Sequence, residues 1–279
     1  MDHTKAIEIN DVSASFLSRK NMADTLLTYP QRDFLRLHFR RSDVTNLGPG
    51  IRYGLWVQGC LRHCEGCVAP ESRIMDGGSV IAFDILIREI SHAINKQPPV
   101  SGITISGGEP MLQWKELFYV IKNIKQAYPD LTILLYTGYS WEQDIAPCLL
   151  DDGNGCVERA EFSAFFDALD WWIDGEYQAQ NDDGRGLRGS SNQKLYGNIP
   201  MGNGEKTRCY QGDDGHWVRL ADNTVVDFPA PEDDSMRGFA QKPRFPQFKS
   251  EQDGFYLVGI PTKEALETFN KLVACKGCI

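Results

Sequence analysis

An α/β fold of parallel βαβ units, followed by a loop-rich C-terminal extension, is what the sequence predicts, and three observations carry it. Short apolar strand patterns alternate with amphipathic helical ones between residues 34 and 175. The connections between them are short. Residues 181–254 then change character: Gly, Asp, Asn and Pro dominate and helical periodicity disappears. The composition agrees, because 279 residues that are 42% hydrophobic and 24% charged are ordinary globular values, unlike those of a disordered, collagen-like or coiled-coil chain. A chain of this size buries roughly three quarters of its unfolded surface and needs no disulfide staples.

The elements follow in order. Residues 1–33 are polar and weakly patterned. From Phe34 to Phe39, Leu35, Leu37 and Phe39 alternate with Arg36 and His38, a strand signal. Ser42 to Gly50 is a polar loop, and Tyr53 to Val57 is a second strand that runs directly into three cysteines. Asp76-Gly77-Gly78 predicts a turn, with Ser79 as the N-cap of a helix whose stripe is Phe83, Ile87, Ile90 and Ile94. Pro98 and Pro99 stop it. Ile103 and Ile105 mark a strand ending at Gly107-Gly108-Glu109-Pro110, and residues 112–127 form a helix with Leu117, Ile121 and Ile124 inward. Leu131 to Tyr136 is a continuous apolar strand, buried on both faces. Trp171 to Ile173 is another, its tryptophans in the core, ending at Asp174-Gly175. Beyond it only a hairpin stands out, His216 to Leu220 with Thr224 to Phe228, and Glu232-Asp233-Asp234 is a solvated loop. Phe255 to Ile260 and a helix over 262–274, with Leu266, Phe269 and Val273 inward, restore a final strand–helix unit.

A net charge of −9 disfavours non-specific binding to nucleic acid or to an anionic membrane. No apolar run approaches the ~20 residues of a membrane span, and the N-terminus shows no basic start followed by an apolar stretch. Eight cysteines without an export signal point to a reducing, cytoplasmic setting, where clustered thiols bind metal or do redox chemistry more often than they pair.

Cys60, Cys64 and Cys67 stand at C-x3-C-x2-C spacing. A tetrahedral zinc site wants four ligands, whereas three thiolates on a tight loop suit a cubane iron–sulfur cluster with one iron left open to substrate. The plainer alternatives are a zinc site completed by His63 or a distant cysteine, or three unrelated buried thiols; His63 itself reads as an exposed loop residue. Cys275 and Cys278 form a second pair, read either as half of a metal or redox site or as free thiols on a frayed tail. Cys148, Cys156 and Cys209 are scattered.

The cysteine triplet together with Gly107-Gly108-Glu109-Pro110 resembles the radical S-adenosylmethionine (SAM) superfamily. The resemblance implies one 4Fe-4S cluster held by Cys60, Cys64 and Cys67, whose open iron chelates SAM and whose electron cleaves it to a 5′-deoxyadenosyl radical. Gly107 and Gly108 would let the backbone approach the cofactor, Glu109 or nearby carbonyls would accept from its ammonium group, and Pro110 would stiffen the loop exit. Residues 34–196, through Gly48-Pro49-Gly50-Ile51-Arg52, Trp56 to Cys60, Tyr136 to Tyr139, Asp174-Gly175 and Arg188 to Gln193, look like the activating enzymes of anaerobic ribonucleotide reductase. Pyruvate formate-lyase activases usually carry an aromatic residue where Gly66 stands, so the reductase-type branch fits better.

Carried over, Gly66 and Val68 would lie against the adenine, Thr137 and Tyr139 near the ribose or methionine, and Arg188 to Gln193 would read the partner's glycine loop. Plain alternatives are packing for Tyr136 and Tyr139 and a polar turn for 188–193. The implied architecture is a partial (βα) barrel: an N-terminal extension (1–33), the radical SAM core (34–196), a loop-rich insertion (197–254) and a terminal strand–helix unit closing the core (255–279). The implied partners are a glycyl radical enzyme and a flavodoxin- or ferredoxin-like electron donor. Two rival functions stand beside this one: radical modification of another peptide or a small molecule, and a non-catalytic metal-stapled binding or electron-transfer protein.

Overall fold

Ten strands form one mixed sheet in a computed structural model that describes residues 26–27, 31–150, 157–201, 204–226, 236, 242–251 and 254–276. Four parallel strands make its centre: β2 (Arg52–Val57), β4 (Gly102–Gly107), β5 (Thr132–Tyr136) and β6 (Trp171–Ile173). Their register sets Leu55 beside Ile105, Ile103 beside Ile133 and Leu135 beside Trp172. Antiparallel strands extend both flanks, with β1 (Phe34–Val44) and β3 (Ser79–Ala82) beyond β2. Beyond β6 come β7 (Leu195–Pro200), β8 (Lys206–Gln211), β9 (Trp217–Arg219) and β10 (Val225–Val226).

Helix α1 (Phe83–Asn95) connects β3 to β4, and α2 (Trp114–Ala127) connects β4 to β5. A π-helical turn (Trp141–Ile145), the single turn α3 (Ala146–Leu149) and α4 (Val157–Asp167) lie between β5 and β6. The helices cover one face of the sheet. Leu86, Ile90, Leu117, Ile121, Ile124, Phe162, Phe165 and Phe166 share one buried cluster with Leu55, Ile103, Ile133 and Leu135. The intervening Leu134 packs on the opposite face, with Ile173, Leu187, Trp217 and Met236. β5 is therefore buried on both faces, as its unbroken apolar run requires.

The start of the parallel block is tied by Arg52. Its fully buried guanidinium donates to Thr104 Oγ1 at 2.6 Å, Thr132 Oγ1 at 2.8 Å, and the carbonyls of Pro49, Ile103 and Thr132. All five donors are satisfied, so the charge is buried without a carboxylate. A Cβ at Gly102 would collide with this guanidinium, so a glycine must begin β4.

Several expectations are revised. Ser79 is not a helix cap: Ser79–Ala82 is a strand paired with Phe34–Leu37, and α1 begins at Phe83. The stripe of α1 is correspondingly rotated, with Leu86, Ile90 and Ala93 buried and Phe83, Ile87 and Ile94 half-buried beside them. The strand over 254–258, β12, does not join the main sheet; it pairs only with β11 (Gln247–Glu251), and α5 (Lys263–Lys276) follows it. The 216–228 hairpin is present as β9 and β10, and Phe228 lies outside the described residues. The polar start of the chain holds a core contribution, because Leu26 and Leu27 are buried and Leu26 O accepts from Trp114 Nε1 at 2.7 Å. Among the described residues no helix is long and apolar enough to cross a membrane.

Candidate active site

Parallel strands release their C-terminal loops at one edge of the sheet, and here four such loops close around a single cavity of about 150 Å³. The loop after β2 brings Cys60, Arg62, Cys64, Cys67 and Val68. β4 ends in Gly107, Gly108 and Glu109, β5 in Tyr136, Thr137 and Gly138, and β6 leads to Gly175 and Tyr177.

The cysteine loop is held from behind. Gly59 N donates to Ser72 O at 2.8 Å and Cys60 N to Arg73 O at 3.1 Å. Gln58 spans the loop's base, its Nε2 donating to the carbonyls of Glu71 and Ile74 at 2.9 and 2.6 Å. Gln113 in turn donates to Gln58 O at 3.0 Å. The glycine pair presses against the same loop. Gly108 N reaches Val57 O and Glu109 N reaches Gly59 O, both at 2.8 Å. Gly107 has φ of +104°, and a Cβ there would lie 2.5 Å from Val57 N and O; a Cβ at Gly108 would strike Gly59 O. Both positions therefore need glycine, by conformation at the first and by proximity at the second.

Glu109 is 1% exposed and joins two loops. Its Oε1 accepts from Met111 N at 3.0 Å and Thr137 Oγ1 at 2.8 Å, and its Oε2 accepts from Gly138 N at 2.8 Å. Burial pushes its carboxyl above the ordinary range, although these three bonds and nearby Arg62 pull the other way. Oε1 has both lone pairs engaged, and Oε2 keeps one for a further donor. Burial also pushes the Cys60 thiol up to about 12, with the charge of Glu109 adding to it, and raises Cys64, with Glu176 adding there.

The sequence-selected residues fall into two groups. Cys60, Cys64, Cys67, Val68, Gly107, Gly108, Glu109 and Thr137 line the cavity together. Gly66, Pro110 and Tyr139 do not line it. Gly66 has φ of +73° and shapes the cysteine loop; Pro110 opens a buried 3-10 turn. Tyr139 is buried with the Arg62 guanidinium 5.2 Å from its ring centroid. His63 is exposed. Within Arg188 to Gln193, Gln193 works inside the loop: its Oε1 accepts from Gly189 N at 2.7 Å and its Nε2 donates to Gly175 O at 2.6 Å. Arg188 pairs with Asp183 at 3.0 Å and Asp213 at 3.5 Å. Sequence reasoning gave no role to Arg62 or Gln58; the one available signal was a long polar side chain within or directly before the cysteine spacing. Cys148 and Cys209 are buried in separate apolar clusters, away from the triplet. Cys156, Cys278, the Cys275 side chain and Glu232-Asp233-Asp234 lie outside the described residues.

The donor set fits an iron–sulfur cluster. Three thiols line the cavity, and among the described residues no fourth cysteine and no histidine lines it. Nor, among these residues, do three Cys, His, Asp or Glu side chains converge as ligands of one metal ion. In a cubane each thiolate takes a different iron, so thiols on a shared wall that do not meet at a point match its demand.

Comparison with known proteins agrees. The chain is 28% identical to the anaerobic ribonucleoside-triphosphate reductase-activating protein of Enterobacteria phage T4 over 153 residues, 54% of this chain and 86% of the relative. It is 29% identical to the protein of the same name from Vibrio cholerae serotype O1, over 55% of this chain and 92% of that one. It is 36% identical to a pyruvate formate-lyase-activating enzyme of Staphylococcus epidermidis, over 48% of this chain and 47% of the relative. Residues 46–196, which hold the thiols, the glycine pair and all four cavity-forming strand ends, match a family of iron–sulfur proteins, and the chain belongs to that family, the 4Fe-4S single cluster domain.

Proposed function

We propose that this chain is a radical SAM activating enzyme that installs a glycyl radical on a partner enzyme of the anaerobic ribonucleotide reductase kind. The observation that carries the reading is the convergence of three thiols, the Gly107-Gly108 backbone, Thr137 and Gly175 on one cavity at the ends of four parallel strands. Cys60, Cys64 and Cys67 are the residues that would hold the cluster. When bound, a reduced 4Fe-4S cluster with an open iron supplies the electron that cleaves SAM to methionine and a 5′-deoxyadenosyl radical, the species that takes hydrogen from the target glycine. The protein's own part is positioning and exclusion. Gly107 and Gly108 keep side chains out of the cavity, and Glu109 locks the β4 and β5 loops to each other while keeping an acceptor lone pair for a cationic group. Val68 and Thr137 would contact the adenosyl and methionine parts.

We read the four central strands as the parallel arc of a partial barrel, with residues 34–196 as the core. An electron-donor protein of flavodoxin or ferredoxin type and a reducing compartment belong to the same proposal. A second reading, radical modification of another polypeptide, has one observation in its favour: the family match ends at residue 196, whereas the main sheet continues through β8, β9 and β10. Anaerobic reconstitution tests the shared chemistry. We expect about four irons per chain, release of 5′-deoxyadenosine on reduction with SAM, and loss of both in Cys64→Ala. A glycyl radical signal in electron paramagnetic resonance with a cognate reductase separates the first reading from the second. Reduced, iron-loaded protein that leaves SAM intact would refute both.

A further inference from the structure

Arg62, in the middle of the cysteine spacing, carries a buried donor without a partner: its Nε meets no hydrogen-bond acceptor. The rest of the side chain is held. The guanidinium lies 5.2 Å from the centroid of the Tyr139 ring, and Nη2 is 3.4 Å from Glu176 Oε2. The stem crosses Gly138, where a Cβ would lie 2.5 Å from Arg62 Cδ. The head group is therefore fixed with one N–H left over, and a buried donor of this kind is costly until an acceptor arrives.

The left-over donor has a counterpart. That same Cβ position is 3.1 Å from Arg62 Nε and 3.2 Å from Glu109 Oε2, the oxygen that accepts only from Gly138 N and keeps a lone pair. A cationic donor and an anionic acceptor thus flank one spot over Gly138, and all three residues line the cysteine cavity. An α-amino acid head group carries the complementary pair, a carboxylate and an ammonium on one carbon. Such a carboxylate needs a cation here, because the cavity already holds three thiols and Glu109, and a buried charge must be paired. Two cations line the cavity, Arg62 and Arg73. The Arg73 side chain makes no hydrogen bond or ion pair among the described residues. Arg62 alone is both fixed in place and set opposite Glu109.

We propose that Arg62 anchors the carboxylate of the methionine part of SAM, opposite the ammonium received at Glu109, an inference that rests on the activating-enzyme reading above. A planar guanidinium with directional N–H donors matches a carboxylate better than a point charge does. The cysteine loop then supplies the cluster ligands and also orients the molecule that the cluster meets. Tyr139, which does not line the cavity, has its part in this: its ring carries the guanidinium.

The test is a ligand-observed NMR titration of the oxidised, reconstituted protein with SAM and with decarboxylated SAM, which lacks only the carboxylate. Arg62→Met should weaken SAM about tenfold or more and change decarboxylated SAM by less than about twofold. Arg73→Met should leave both affinities unchanged. Iron is counted in every variant. Should Arg62→Met load less iron than the wild type, Arg62→Gln takes its place, and failure of both to load would assign the side chain to the fold of the loop and overturn the anchor. Equal losses for the two ligands, no loss for SAM, or a loss of SAM affinity in Arg73→Met alone would each overturn it as well. Release of 5′-deoxyadenosine is measured on the reduced wild type. Release without the split between ligands sinks the anchor alone, and iron-loaded wild type that leaves SAM intact sinks the activating-enzyme reading.

Discussion

Two loops that carry site residues meet on the carboxylate of Glu109, which accepts from Met111 N on its own strand's exit and from Thr137 and Gly138 on the next. This makes its titration measurable as stability. The folded carboxyl lies above its ordinary value of 4.5, chiefly through burial. The native state thus holds the proton more tightly than the unfolded chain. The associated stabilisation is complete below the ordinary value and is lost as pH rises through the folded one. Chemical denaturation of the wild type and of Glu109→Gln across the acid range should show the wild type losing stability relative to the variant as pH rises above about 4.5. A difference that grows in the opposite direction would mean that the hydrogen bonds outweigh burial. At this scale the sequence was legible where the chemistry is local. The three thiols carry their meaning in spacing, and the Gly-Gly-Glu turn carries it through the family resemblance it completes with them. Gln58, Arg62 and Gln193 do not, because their partners at Glu71, Tyr139 and Gly175 come from other parts of the chain.

The elements show where local pattern gives way to pairing. Ser79 after Gly77-Gly78 has every local mark of a helix cap, yet register with Leu37 makes it the first residue of an edge strand. Tertiary pairing overrides the weak local preference of a four-residue segment. β7 is not legible in the sequence, because Gly197-Asn198 interrupts its apolar pattern with turn-forming residues. Gly197 is required in that strand, since a Cβ there would sit 2.9 Å from Trp171 Cδ1. The helix at 157–167 has no clear apolar stripe in the sequence, yet it brings three buried phenylalanines, Phe162, Phe165 and Phe166, into the core. Phe166 is fully buried and meets Trp141, Phe162, Phe165 and Trp172 edge to face, with centroids 5.3 to 5.5 Å away. Phe166→Ala should cost about 3–5 kcal/mol in equilibrium denaturation. A loss below about 1 kcal/mol would mean that the site collapses to fill the void.

Across the whole molecule, the parallel block and its function-bearing edge were legible, because βαβ alternation forces successive strands to point the same way. The width of the sheet was not. β8 is short and rich in polar residues, and β9 and β10 are legible only as an isolated hairpin; the three widen the sheet by pairing onto β7 in succession. Their apolar residues then complete the face opposite the helices, where Trp217 and Val226 pack with Leu134 and Ile173.

Arg52 adds a buried side-chain knot that fastens the starts of three central strands to one another, while at their far ends the sheet pairing is reinforced by loop amides and the Glu109 bridge. The strands thus resemble the ribs of a hand fan, riveted by a buried charge at one end and closed by loops at the rim. Loading the rim with cluster and SAM should therefore draw the ribs together there and leave the rivet unmoved. Hydrogen–deuterium exchange should slow at Gly107 to Glu109 and Thr137 to Tyr139 on loading, with amides of Ile103 and Ile133 unchanged; uniform slowing along the strands would show that the fan has no pivot.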